Sequence, residues 1–126
     1  LCRSVNGATC AGAPGNWDRW VSFIDANNND VTDAGEALLS TGSAPNGVVI
    51  SASPAIESAN GMLIIRPDGM ARMPDRTLLV AAFSTCMPFT NPVENMRIVR
   101  ITAGSQAVVS RQDGGGACPA PADRGQ

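Results

Sequence analysis

The chain contains no lysine, no histidine and no tyrosine, and all nine of its cations are arginines. Without histidine there is no Ser-His-Asp or Cys-His nucleophile and no His-ligated zinc; without lysine there is no Schiff base and no Ser-Lys pair. Charge is sparse as well. Charged residues make up 16% of the sequence, the net charge is -2 and the isoelectric point is about 4.8, so nothing draws the whole molecule toward nucleic acid or an anionic membrane. No run of about twenty apolar residues, no signal peptide and no lipidation motif is present. The carboxylates Asp25, Asp30, Asp33 and Glu36 crowd one short segment instead of flanking a sugar-sized cleft, which argues against glycoside hydrolysis. No enzymatic activity is expected.

What is present suits a small stapled domain. The 126 residues, 44% of them hydrophobic, fill one modest core. Cys2, Cys10, Cys86 and Cys118 are spaced too widely for a zinc site built from two Cys-x-x-Cys knuckles. Of the three possible disulfide pairings, Asn6-Gly7 favours Cys2 with Cys10, because it is a strong hairpin-turn signal between them; Cys86 is then left for Cys118. In the chain-entropy picture the short loop contributes roughly 2.5 kcal/mol and the long one roughly 3.7 kcal/mol. Such bridges imply an oxidising, exported location. The opening Leu1 to Val5 reads as the inside of a strand, so the sequence is expected to be a processed or truncated piece.

Short apolar runs recur between turn signals at Asn6-Gly7, Asn46-Gly47 and Asp68-Gly69, which predicts a mainly β domain. Strands are expected at Leu1 to Val5, Trp20 to Asp25, Ala37 to Ser40, Gly47 to Ser51, Met62 to Arg66, Thr77 to Phe83, Met96 to Thr102 and Ala107 to Arg111. Pro67-Asp68-Gly69 supplies a tight turn returning toward Arg72, and Thr77 to Phe83 is a partner for that ribbon. A helix over Trp17 to Ile24 fits the spacing of Trp17, Trp20, Val21 and Ile24, but β-branched and aromatic residues favour the strand. Residues 1–118 form the single domain. Asp113 to Gly116 reads as a flexible connector, and 119–126 as a flexible C-terminal tail.

The stretch from Trp20 through Phe23-Ile24-Asp25, the Asn/Asp-rich turn at Ala26 to Asp33, and Gly35-Glu36-Ala37-Leu38-Leu39 resembles the central signature of the FimT/FimU minor pilins of type IV pili, relatives of the GspH pseudopilins. Cys2 and Cys10, Ile65-Arg66-Pro67-Asp68-Gly69 and the late strand running into Ala103-Gly104 extend the resemblance over most of the chain. It implies an antiparallel two-sheet head that works as a structural subunit in filament priming or a tip complex. It also implies an N-terminal helix in the whole protein that anchors it in the inner membrane, partners among other pilins and minor pilins, and a place on the cell-surface pilus after assembly.

Two further constellations carry alternatives. Asp25, Asn27, Asn29, Asp33 and Glu36 occupy positions 1, 3, 5, 9 and 12 of an EF-hand-like calcium loop, but Asp30 stands where the sharp turn wants glycine and no helix follows, so no cofactor is expected. The competing reading is an Asn/Asp-rich turn whose side chains bond their own backbone. Some FimT-like relatives bind DNA through a Gly-Arg-x-Arg motif, matched here by Gly104-Ser105-Gln106-Ala107, where both arginines are missing. Arg97, Arg100 and Arg111 are the remaining candidates for phosphate contacts, against the reading that they are solvated strand residues, and a DNA partner is not expected. Trp20 and Phe23 are expected in the core, with Trp17 the more exposed aromatic.

Overall fold

The computed structural model describes residues 1–124. Its strands are β1 (Cys2–Ser4), β2 (Arg19–Phe23), β3 (Leu38–Ser43), β4 (Val49–Ala52), β5 (Ile64–Ile65), β6 (Ala71–Arg72), β7 (Ala81–Cys86), β8 (Met96–Ile101) and β9 (Ala107–Gln112). All pairings are antiparallel: a sheet β1-β2-β3, a sheet β4-β7-β8-β9, and a ribbon β5-β6. The mainly β, antiparallel expectation holds, with the ribbon added to the two main sheets.

Three local expectations change. The strand expected at Thr77 begins at Ala81, because Thr77 to Val80 instead binds the ribbon: Leu78 bridges Arg72, and the Leu79 N–H donates to the Ala71 carbonyl at 3.0 Å. A helix not foreseen, α1 (Pro54–Ser58), starts after Ser53 with proline at its first position, where the missing N–H is no loss. Asn6-Gly7 does not form a two-residue hairpin. Instead the Asn6 side-chain oxygen accepts the Ala8 and Thr9 N–H groups, an Asx-type turn that still returns the chain to Cys10.

The main core gathers Trp17, Ala52, Ile56, Leu63, Ala71, Leu79 and Ala81, with Ile50, Phe83 and Ile101 from the same face of the large sheet. Trp17 is the centre of this layer at 2% exposure, contrary to its expected exposure, while Trp20 and Phe23 are only half-buried. Its ring meets Phe83 edge-on at 4.8 Å, and its indole N–H donates to Glu57 at 3.1 Å. Burial of that indole is tolerated because the N–H is satisfied. The polar neighbours Asn16 and Asp18 misdirect a local reading of this residue.

The opposite face of the large sheet carries Ala82, Cys86, Met96 and Ile98, packed against Cys118. The C-terminal segment covers it. Pro121 is buried, and the Asp123 carboxylate accepts the Ala55 N–H at 2.8 Å, capping the start of α1 from outside the helix. The segment expected to fray is therefore held against the domain as far as Asp123; Gly125 and Gln126 lie outside the described residues.

Candidate functional surfaces

Asp25 to Glu36 is a loop closed by its own side chains. The Asp25 carboxylate accepts the N–H groups of Asn29 at 3.1 Å and Asp30 at 2.9 Å. Glu36 accepts from Ala26 at 2.9 Å and from Asp33 at 3.1 Å. The Asn27 and Asn29 amides both donate to Asp33, at 2.9 and 2.6 Å, and hold its carboxyl below the ordinary carboxylate value. Asn28 and Asp30 take positive φ, which Asn and Asp tolerate better than other side chains. Loop N–H groups donate to Asp25 and Glu36, and both amide donors fall on one oxygen of Asp33. Among the described residues no three acidic or cysteine side chains converge as a metal-holding group.

The three candidate arginines do not converge. In the β8-β9 register Arg97 lies directly opposite Arg111, and Ile98 opposite Ser110, so Arg100 falls on the other face of the sheet. Arg97 donates to the carbonyls of Glu94 at 2.9 Å and Met96 at 3.1 Å, and Glu94 stands 3.8 Å from Arg111. Arg100 donates to the Ser110 hydroxyl at 2.9 Å, while its buried Nε has no partner among the described groups. It borders a groove of about 360 Å³ shared with Met96, Ile98, Pro119 and Pro121 of the covering segment. Ser105, at the first motif position that lacks arginine, serves the fold: its hydroxyl accepts the Ala71 N–H at 2.7 Å and ties the β8-β9 turn to the ribbon.

The most constrained polar feature is one the sequence does not flag. Asn95, 4% exposed, donates to the Met87 carbonyl at 2.8 Å and the Ala117 carbonyl at 3.2 Å, and accepts the Gly114 N–H at 2.7 Å. It joins the β7-β8 loop to the segment that carries Cys118, beside the Cys86–Cys118 disulfide. Gly114 is not a flexible link: a Cβ there would meet the Ala117 oxygen at 2.6 Å and the Met96 sulfur at 2.8 Å. Glycine serves close approach here. The second disulfide, Cys2–Cys10, closes the other expected pair. Nothing in local composition marks Asn95, since its three partners come from two separate segments.

An open groove of about 510 Å³ lined by Phe23, Ile24, Leu39 and Ile65 has the Arg76–Asp30 ion pair among its polar members and no paired nucleophile and base. No helix of the described residues is long and apolar enough to cross a membrane. No curated protein and no solved structure matches the chain. The family model of the type II transport protein GspH matches residues 2–105, from the first disulfide cysteine through the β8-β9 turn. The chain belongs to the GspH family of exported, structural pseudopilins.

Proposed function

We infer that this chain is the head of a type IV pilus minor pilin of the FimT/FimU kind, a structural subunit in filament priming or in the tip complex. The observation that supports this reading best is the family match over a head whose Trp20 to Leu39 signature folds as strand, self-bonded turn and strand. Its partners are other pilins, met through loops and sheet edges, with the inner membrane reached through the family's N-terminal helix. Crosslinking of the full-length protein with co-expressed pilins tests it. Adducts to pilin heads are expected, and their absence, with crosslinks only to secretion-system pseudopilins, would reassign the subunit.

The DNA-receptor alternative is weakened by the division of its arginines between two faces. Each phosphate contact needs a cation near the backbone, and Arg97 with Arg111 offers two, for a salt slope of only about -1.8. Duplex DNA is therefore expected to bind near the 10⁻⁴ M edge of non-specific affinity at physiological salt. Sub-micromolar binding in a polarisation assay, abolished by Arg111→Ala, would favour the DNA reading.

A further inference from the structure

The two main sheets have four edges, and they are treated unequally. β1 is covered: the Arg3 N–H donates to the Gly61 carbonyl at 2.8 Å, Leu63 to Leu1 at 2.9 Å and Ala11 to Arg3 at 2.8 Å. β4 is met by Trp17, whose N–H donates to the Ile50 carbonyl at 3.1 Å. β3 is an edge, but its pairing with β2 shifts register at Ser22/Phe23, the irregularity that spoils an edge as a template. β9 has none of these protections. Its six residues run in unbroken register with β8, contain no proline or lysine, and make no outer main-chain hydrogen bond to any described residue. Val108 and Val109 stand 54% and 65% exposed on its two faces.

The charge along this edge says what is missing. Arg97 and Arg111 are direct cross-strand neighbours, an unfavourable pairing, and the exposed Glu94 reaches only Arg111. On the same face Val109 stands beside Val99, two residues from Arg111. A second copy of β9 would bring no carboxylate to this row, because Ala107 to Gln112 contains none.

We propose that β9 takes an extended segment of a different protein by strand addition, one with an Asp or Glu opposite Arg111 and a β-branched residue two positions away, opposite Val109. Main-chain hydrogen bonds supply the attachment, and the alternating side chains supply the choice. Duplex DNA has no use for the row of free amides and carbonyls or for Val108 and Val109. The proposal stands apart from the filament reading, since the same edge would act in any exported assembly.

The probe is acetyl-Thr-Glu-Thr-Val-Thr-Val-amide, written for antiparallel addition, titrated into the full chain and followed by amide NMR. Saturable binding is expected, with shifts confined to β8 and β9. Replacing Glu by Lys in the peptide is expected to weaken it about tenfold, and Arg111→Glu in the protein to reverse that preference. Val109→Lys, at an exposed position, is expected to abolish binding with an unchanged melting temperature. N-methylation of the peptide amides that face β9 is expected to do the same. Binding that fails to saturate at millimolar peptide, or that ignores the charge swaps, would overturn the proposal. So would a concentration-dependent dimer removed by Val109→Lys, which would make a second copy the occupant, or sub-micromolar duplex DNA binding through Arg97 and Arg111.

Discussion

The Asp25 to Glu36 loop and the segment from Asp113 to Asp123 are both polar or glycine-rich connections, yet they are held by opposite means. The carboxylates and amides of the first bond backbone and one another within ten residues, with only the Thr32 hydroxyl reaching the Cys10 N–H and Asp30 reaching Arg76 from farther off. The second is held from a distance: Gly114 by Asn95, Cys118 by Cys86, and Asp123 by Ala55 across the whole domain. Local, solvent-exposed bonds compete with water and each contribute little, whereas buried ones cost their full desolvation when broken. The covering segment therefore depends on tertiary closure and should respond to substitution far more strongly than the acidic loop.

The disulfides give the largest expected contrast. Replacing Cys86 and Cys118 together with serine should lower stability by about 3.7 kcal/mol in the chain-entropy picture, against about 2.5 kcal/mol for the Cys2 and Cys10 pair. Urea unfolding of both variants checks it, and the reverse order would show that closure length does not govern the difference. Next is Asn95→Ala, expected to cost about 2–3 kcal/mol because the Met87 and Ala117 carbonyls and the Gly114 N–H lose a buried partner. A smaller loss would mean that water replaces the side chain. Asp123→Ala removes only the cap on α1 and should cost about 1 kcal/mol, read by the same unfolding curves.

The acidic loop should give the smallest effect. Asp33 has its folded-state pKa depressed by the Asn27 and Asn29 amides, so its contribution is present above the unfolded value, near 3.8, and is lost as pH falls through the lower folded value. An NMR titration should show Asp33 protonating below that value and the Asn27 and Asn29 amide signals moving with it. Asp33→Asn should leave the unfolding midpoint within the scatter of exposed substitutions. Calcium calorimetry probes the same point. Little or no heat is expected, and a micromolar dissociation constant lost on Asp25→Ala or Glu36→Ala would show that the loop opens to bind metal.

Much of the scaffold follows from residues close together in the chain. Alternation and β-branching mark β8 and β9, Pro67-Asp68-Gly69 marks the ribbon turn, and the Asn/Asp run from Asp25 marks a self-bonding loop, because each depends on neighbours within a few positions. The Cys2–Cys10 closure is equally local. Tertiary structure alone decided that Trp17 is core, that Arg111 stands directly opposite Arg97, and that Asp113 to Asp123 covers the sheet. It also decided that β9 is the unguarded edge. A residue's burial, its face and its hydrogen-bond partner depend on the register and closure of segments tens of residues away, and those arise only when the sheets assemble.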